Sequence, residues 1–218
     1  VAAILKAGCV TDVIGVKEVD GKVALTQPLY GGSIYSDAVV EGLAVAIVRG
    51  GAFKKVDEPD TAKEGAIIAE TVVAPELRAK IVDSVLEISE SVDLEGAEII
   101  VAGGRGVGTK ENYEMVKELA SLLGGVVGAT RPVIEEGWIS RAHQVGQSGK
   151  IVAPKLYLAF GISGAAQHMS GITGSDYIVA VNKDEEAPIF EIANIAIVGN
   201  CIDALQIMIE EVKKMKAE

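Results

Sequence analysis

Hydrophobic and polar positions alternate most regularly in the second half of the 218-residue chain. Short apolar runs there are followed by glycine-rich turns and then by stretches with helical spacing. Residues 110–123 show this spacing best, because their polar side chains form one stripe, at Lys110, Glu114, Lys117, Glu118 and Ser121. This order of strand, turn and helix predicts an α/β fold with a doubly wound parallel sheet, whose ligands bind at the carboxyl ends of the strands.

The pattern predicts six strands and three helices in this half. The strands are residues 98–102, 126–129, 151–152, 156–160, 177–181 and 196–198, and the helices are residues 110–123, 165–170 and 202–216. We expect a domain at residues 93–218.

The first half of the chain has β-type patterning instead. Strands are predicted at residues 9–16, 22–28, 39–48, 66–73 and 80–88, separated by turn signals rich in glycine and aspartate. Only the first few residues have helical spacing. We therefore expect residues 1–92 to form a β-rich α/β N-terminal domain that is incomplete, consisting of the later part of such a domain.

Composition and charge narrow the class of protein. Hydrophobic residues make up 49% of the chain and aromatic residues only 4%, as expected for the doubly buried strands of a parallel sheet. The net charge of −11 disfavours nucleic acid and anionic membranes as partners. Cys9 and Cys201 form neither a metal spacing nor a disulfide framework. With no apolar run near the ~20 residues of a membrane span and no signal peptide, we expect a soluble, cytoplasmic protein.

Four glycine-rich turns follow one another at the ends of predicted strands, at residues 103–108, 144–150, 161–168 and 182–184. Glycine lets backbone N–H groups approach a ligand without an intervening Cβ. Because several of these turns are expected at one edge of the sheet, they predict a long ligand with several parts, such as a dinucleotide.

The turn at residues 103–108 does not match the known phosphate motifs. A G-x-G-x-x-G fingerprint starting at Gly104 would need glycine in place of Thr109, and a P-loop would need lysine before threonine rather than the Thr109-Lys110 order found here. Glu111 would also repel a phosphate at the helix start. We interpret the segment as a tight connection that presents Arg105, with a plain glycine turn as the alternative.

The turn at residues 161–168 is the better phosphate site. It opens a predicted helix and is followed by no acidic residue until Asp176, so backbone N–H groups and the Ser163 hydroxyl can converge on an anion. His168 lies one helical turn after Gly164 and is expected to face the same end. Neither histidine has other metal ligands at a suitable spacing.

The turn at residues 144–150 offers amide and hydroxyl groups. Such groups suit the edge of a flat heterocycle with mixed donors and acceptors, such as flavin or nicotinamide. Taken alone, the segment is equally typical of a polar surface loop.

The motifs taken together resemble one family. Gly-Arg-Gly-Val-Gly, Gly-Ala-Thr-Arg, Gln-Val-Gly-Gln-Ser-Gly-Lys, Ala-Pro-Lys-Leu-Tyr, Gly-Ile-Ser-Gly-Ala-Ala-Gln-His and Asn-Lys-Asp occur in this order across residues 104–184. This order and spacing resemble the FAD domain of electron transfer flavoprotein α subunits. Residues 1–92 resemble the later part of the N-terminal domain of that subunit, through residues 8–12 and 28–32.

The resemblance implies a noncatalytic electron carrier that binds one FAD and pairs with a β subunit. Such a carrier accepts electrons from flavin dehydrogenases, for example acyl-CoA dehydrogenases, and passes them to a quinone oxidoreductase or another redox partner. No substrate chemistry of its own is expected.

The resemblance also assigns roles to residues. Arg131, next to Thr130, matches the position beside the isoalloxazine, where a guanidinium favours the anionic reduced forms of flavin. Ser148 matches the hydroxyl that bonds flavin N5, and His168 matches the residue near the C2 carbonyl. The ring and ribityl chain would be lined by Gln144, Val145, Gly146, Gln147 and Gly149. The phosphates and ribityl oxygens would be held by Gly161, Ile162, Ser163, Gly164, Ala165 and Gln167.

Arg105, Asn182 and Asp184 would reach the adenosine half or brace the site. Asn200 stands where many family members have aspartate, which weakens the expected ribose contact there, and Ser148 replaces the commoner threonine. Two alternatives remain open from the sequence: an NAD-dependent enzyme that uses a similar binding domain, with His168 as its one candidate acid or base, and an assembly fragment that holds no cofactor.

Overall fold

The first half of the chain forms two small sheets in the structure, a computed structural model that describes residues 1–53, 65–71 and 92–217. A single helical turn (α1) and five strands (β1 to β5) follow one another here: Ala2–Leu5, then Gly8–Val13, Gly15–Val19, Lys22–Leu29, Ile34–Val39 and Ala44–Val48. Strands β2, β3 and β4 form an antiparallel sheet, whereas β1 pairs in parallel with β5. The β-rich first half predicted from the sequence is confirmed.

The predicted single strand at residues 9–16 is wrong, because two strands of different sheets occupy this segment. Asp12 lies inside β1 with a φ of +58°, and the β1–β5 register shifts between Val10 and Val13, just before Gly15 begins β2. Arg49 holds Asp12 in this conformation with two hydrogen bonds, from Nε to Oδ1 (2.6 Å) and from Nη2 to Oδ2 (2.5 Å). The left-handed conformation of a non-glycine residue is thus stabilised by a distant partner.

Two other strand predictions in this half need correction. Strand β4 already ends at Val39, and a turn with Gly42 at φ +81° separates it from β5, so residues 39–48 are not one strand. Residues 65–71 form no strand, and Ile67 there is 99% exposed. The strand predicted at residues 66–73 is therefore wrong for residues 66–71, which are the ones that the structure describes. The strand predicted at residues 80–88 lies outside the described residues.

The second half contains a five-stranded parallel sheet. Its strands are Ile99–Gly103 (β6), Val126–Ala129 (β7), Leu156–Phe160 (β8), Tyr177–Asn182 (β9) and Ile195–Val198 (β10), and its helices are Lys110–Leu123 (α2), Arg131–Glu135 (α3), Ala166–Met169 (α4) and Cys201–Ala217 (α5). The spatial order β10-β9-β8-β6-β7 is that of a doubly wound fold. The predicted fold class is confirmed.

One predicted strand of this half is wrong. Residues 151–152 belong to no strand, and the Val152 N–H donates to the Gly171 carbonyl of a loop. Pro154, two residues after Val152, has no N–H to offer to a neighbouring strand. The segment therefore covers the sheet instead of extending it.

Apolar side chains cover both faces of this sheet. Alternation along β8 sends Leu158 and Phe160 to one face, where they pack with residues of α2 and α5, and Tyr157 and Ala159 to the other. That second face is covered largely by turns and by α4. Burial on both faces is what a parallel sheet needs.

Helix α2 begins and ends where the sequence predicts. The Thr109 hydroxyl accepts a hydrogen bond from the Asn112 N–H (3.2 Å), and Gly124 ends the helix at φ +67°. Tyr113 points from this helix into the core, and its hydroxyl donates to the Gly128 carbonyl (2.6 Å). This bond ties α2 to β7.

The strand order reverses between β6 and β8, and the loops that follow these two strands touch each other. The Gly104 N–H donates to the Phe160 carbonyl (2.9 Å), and the Gly106 N–H donates to the Gly161 carbonyl (3.0 Å). A Cβ on Gly104 would lie 2.3 Å from the Gly161 oxygen. This reversal is the place where doubly wound sheets bind ligands.

We predict that Gly104→Ala lowers the free energy of unfolding by about 1–3 kcal/mol, because the added methyl group overlaps backbone atoms that cannot rotate away. Urea unfolding followed by circular dichroism measures it. Gly199→Ala is the matched control: Gly199 follows β10 at the same edge, and a Cβ there meets nothing within 4 Å. Equal stability of the two variants would contradict the tight contact.

Candidate functional site

All of the predicted site residues lie at or near one edge of the five-stranded sheet. The strands are parallel, so the loops at their carboxyl ends emerge on the same side. Arg105 follows β6, Thr130 and Arg131 follow β7, residues 161–168 follow β8, Asn182 and Asp184 follow or end β9, and Asn200 follows β10. The turn at residues 144–149 joins them, because the Val145 N–H donates to the carbonyl of Ala129, the last residue of β7 (3.0 Å).

The turn at residues 161–168 contacts three of the other segments. Its Gly161 carbonyl accepts from Gly106, its Ile162 carbonyl accepts from the Asn182 side chain (2.8 Å), and its Gln167 carbonyl accepts from the Gln147 N–H (2.7 Å). The four glycine-rich turns found in the sequence are therefore brought together by direct hydrogen bonds.

The N–H groups of this same turn are left free. Within the described part of the chain, no protein group accepts a hydrogen bond from the backbone N–H of any residue from 162 to 167. Ile162 and Gly164 are buried, whereas Ser163, Ala165 and Gln167 are exposed. Backbone donors without partners are rare in folded proteins unless water or a ligand satisfies them. The turn therefore has the donors of an anion site.

Glycine is required at two positions of this turn. Gly161 has φ +61° and Gly164 has φ +91°, and a Cβ on Gly164 would lie 2.2 Å from the Ile189 nitrogen. The Ile189 N–H in turn donates to the Ser163 carbonyl (3.1 Å). The carbonyls of the turn thus face the protein, and this leaves its N–H groups for other partners.

The turn at residues 144–149 presents a hydroxyl group. Gln144 is buried, and its Nε2 donates to the Ser148 Oγ at 2.8 Å. Ser148 and Gln147 are exposed. Because the Ser148 oxygen accepts this bond, its proton remains available for an acceptor outside the turn. Gly146, at φ +129°, and Gly149 have no room for a Cβ.

His168 is buried and has a partner at each ring nitrogen. Its Nδ1 lies 3.1 Å from the Val145 carbonyl, and its Nε2 lies 3.0 Å from the Tyr157 hydroxyl. Burial lowers the pKa of His168 to about 4, against a smaller opposing effect of the bond to Val145. A hydrogen bond from His168 to a ligand would have to replace one of these two bonds.

Arg131 is an exposed charged residue of the predicted site. It begins α3, its side chain is 69% exposed, and its Nε donates to Glu135 Oε1 one helical turn later (2.7 Å). Thr130 before it is buried, and its N–H donates to the Gly103 carbonyl (3.2 Å). The guanidinium is thus tethered by an exposed ion pair that holds it only weakly.

The remaining polar residues of the prediction serve the local structure. The Asn182 Oδ1 accepts from the Asp184 N–H (3.1 Å), and the Asp184 Oδ1 accepts from the Glu186 N–H (3.1 Å). The Asn200 Oδ1 accepts from the Ile202 N–H (3.0 Å) in the first turn of α5, so Asn200 caps that helix. Arg105 is exposed.

Two predicted residues contribute only their backbone. The side chains of Val145 and Ile162 are buried in the core on the second face of the sheet, so neither side chain lines the exposed edge. Their carbonyls bind His168 and Asn182, respectively.

Sequence reasoning missed two residues that hold site side chains. Tyr157 binds His168, and its position on β8 next to Leu158 could have indicated that it faces the opposite side of the sheet. Glu135 binds Arg131, and its i,i+4 spacing was readable once α3 was recognised. Pro132 in the first turn of α3 was the available signal for that helix.

Among residues 1–53, 65–71 and 92–217, no group of three or more histidine, cysteine, aspartate or glutamate side chains could hold a metal ion. No helix in the same residues has the length and apolar character needed to cross a membrane.

Comparisons with known proteins agree with the resemblance of the motifs. Residues 93–173 match the profile described as electron transfer flavoprotein FAD-binding domain, and residues 1–75 match the electron transfer flavoprotein domain. FAD is the cofactor that the first of these descriptions names.

Curated relatives cover nearly the whole chain. It is 41% identical to the electron transfer flavoprotein subunit alpha of Thermoanaerobacterium thermosaccharolyticum, over 99% of this chain and 67% of the relative. It is 40% identical to the subunit alpha of Bacillus subtilis, over 98% of this chain and 66% of the relative, and 38% identical to the mitochondrial subunit alpha of Dictyostelium discoideum, over 99% and 62%. The chain thus spans about two thirds of the length of these relatives. The chain belongs to the electron transfer flavoprotein α-subunit family.

Proposed function

We propose that this chain carries electrons by means of FAD held at the carboxyl edge of its five-stranded sheet, paired with a β subunit. The observation that carries the proposal is the row of backbone N–H groups at residues 162–167, which have no protein acceptor within the described residues and lie beside the turn that presents Ser148. Membership of the family supports the same cofactor. Bound FAD supplies the reversible uptake of electrons.

The turn at residues 161–168 fits the phosphates. Its free N–H groups lie next to small side chains at the end of a strand, and such backbone donors bind phosphate in other proteins. The Ser163 hydroxyl adds a donor on the exposed side. No carboxylate stands between Gly161 and Ser175, so nothing in this stretch repels an anion.

The turn at residues 144–149 fits the heterocycle. Gln144 fixes the Ser148 oxygen and leaves its proton free to donate. The Gly146 backbone approaches Gln167 so closely that a Cβ would lie 2.8 Å from the Gln167 oxygen. The hydroxyl is therefore held within reach of the phosphate turn, as a ligand with a ring at one end and phosphates further along requires.

Arg131 supplies positive charge at the same edge. A guanidinium stays protonated at every working pH, so its charge favours any negative charge that arises on a group bound nearby. The ion pair with Glu135 is exposed and holds this cation loosely.

We propose the electron partners on the basis of family membership. Flavin dehydrogenases would donate electrons, and a quinone oxidoreductase or another redox partner would accept them, in the cytoplasm. An NAD-dependent enzyme is the alternative. It is disfavoured because His168, its one candidate acid or base, is buried and has partners at both ring nitrogens.

The first prediction is that the purified full chain binds FAD with about 1:1 stoichiometry and does not bind NAD. Titration followed by visible absorbance and flavin fluorescence measures this. Ala166→Asp, which adds a carboxylate at an exposed position of the free N–H row, should weaken FAD binding at least about tenfold. Gln206→Asp, an exposed position in α5, adds the same charge elsewhere and should have no effect. A colourless protein that binds NAD would overturn the proposal.

The second prediction concerns the flavin potential. Arg131→Gln should lower the two-electron midpoint potential of bound FAD by about 20 mV, since an exposed charge contributes about 1 kcal/mol to the reduced anion. A reductive titration with a reference dye measures the shift. Lys214→Gln removes an exposed cation near the end of α5, at the opposite edge of the sheet, and should leave the potential unchanged. Identical midpoint potentials in the wild type, Arg131→Gln and Lys214→Gln would show that Arg131 does not act on the bound flavin.

The third prediction concerns acid stability. The unfolded chain protonates His168 near pH 6.5, but the folded chain does so only near pH 4. The unfolded state thus binds more protons between these values, so stability is full above pH 6.5 and falls as the pH drops toward 4, by about 3 kcal/mol from this residue. Urea unfolding at several pH values in this range measures the free energy of unfolding. This free energy should fall less steeply with decreasing pH in His168→Asn than in the wild type. An equally steep fall of this free energy in His168→Asn would contradict the lowered pKa of His168 in the folded chain.

A further inference from the structure

Tyr157, His168 and Val145 form a chain of hydrogen bonds from the middle of the sheet to the cofactor turn. Tyr157 is fully buried on β8, and its hydroxyl lies 3.0 Å from His168 Nε2. His168 Nδ1 lies 3.1 Å from the Val145 carbonyl. At the Val145 carbonyl, this series of hydrogen bonds reaches the turn that carries Ser148.

The proton positions follow from the partners. A carbonyl oxygen can only accept, so His168 Nδ1 carries a proton. Burial keeps the imidazole neutral, and its Nε2 therefore accepts a hydrogen bond from Tyr157. Burial also raises the pKa of Tyr157 well above its usual value, so the phenol retains the proton that it donates. The chain runs from Tyr157 O–H to Nε2 and from Nδ1–H to the Val145 oxygen.

The peptide between Val145 and Gly146 is held at both of its polar groups. Its carbonyl accepts from His168, and its N–H donates to the Lys150 carbonyl (3.0 Å). Gly146 has φ +129° and no room for a Cβ. Since the plane of this peptide sets the direction in which the turn departs, the bond from His168 controls where Ser148, two residues later, is placed.

We propose that Tyr157 is a positioning residue of the cofactor site. Through His168 it fixes the Val145–Gly146 peptide and with it the turn that presents Gln147 and Ser148. This inference rests on the proposed function, because it is the bound FAD that would sense the position of the turn.

Packing alone does not account for the hydroxyl of Tyr157. A phenylalanine would fill the same volume in the core that surrounds β8, with Ile100, Ala159 and Ala180 among its members. The hydroxyl adds one hydrogen bond, and its partner is His168, a side chain of the predicted site. Tyr113 is the matched case: it is equally buried, but its hydroxyl binds a backbone carbonyl, at Gly128.

The experiment compares Tyr157→Phe with Tyr113→Phe in the full chain. Each variant removes one buried hydroxyl, so both should lose a similar amount of stability. Only Tyr157→Phe should move the ¹⁵N resonance of His168 Nε2 toward that of a nitrogen without a donor, in the protein without FAD. Only Tyr157→Phe should also weaken FAD binding, by about tenfold, and shift the visible spectrum of the bound flavin.

A double-mutant cycle tests whether Tyr157 acts through His168. His168→Asn keeps an N–H that can reach the Val145 carbonyl but has no nitrogen facing Tyr157. Adding Tyr157→Phe to His168→Asn should therefore cost no further FAD affinity. A full tenfold cost in that background, with both variants folded as judged by circular dichroism, would overturn the positioning role.

The outcomes separate this inference from the proposed function. If the wild type binds FAD and Tyr157→Phe binds it equally well with an unchanged spectrum, the positioning role is wrong and the proposed function stands. If the wild type binds no FAD, the proposed function and the positioning role of Tyr157 are both wrong. An unchanged His168 resonance in Tyr157→Phe would refute the hydrogen bond itself.

Discussion

Backbone contact between the loops that follow β6 and β8 is the constraint on which the site depends. Gly104 and Gly106 lie against Gly161 so closely that no side chain fits between them. In the first loop, the N–H groups of residues 104 and 106 donate across this contact, and those of residues 107 and 108 donate to carbonyls of their own loop. The contact leaves the donors of the second loop free. The loop with more glycines is thus the support, and the loop with fewer glycines is the one that can bind an anion.

The difference between local signals and contacts of distant segments explains what the sequence could and could not predict. Helix α2 and strand β8 were predicted with their observed bounds, because amphipathic spacing and an apolar run between turns are local signals. The irregular pairing at Asp12 depends on Arg49, which lies 37 residues away, so no local pattern reveals it. Residues 151–152 looked like a strand because they are apolar, yet their partner is a loop.

The site follows the same rule. The motifs placed the turns at one edge of the sheet, and the hydrogen bonds that join residues 106 and 161, 147 and 167, and 182 and 162 agree. The motifs could not show that Val145 and Ile162 turn their side chains into the core, nor that His168 has two protein partners. These features depend on which residues meet across the fold. The assignment of single residues to parts of FAD stays a prediction.

The second face of the sheet joins the site to the core. On the first face, α2 and α5 cover the strands, but on this face the cover is made largely by the site segments themselves, through Val145, Ile162, Met169 and Ile189. Because these side chains lie in the core or pack against it, the turns cannot move without exposing apolar surface. The site is therefore organised before any ligand arrives, and binding need not supply the free energy to order it. Buried Tyr157 and His168 belong to the same arrangement, since a hydrogen-bonded pair inside this layer resists displacement of the turn above it.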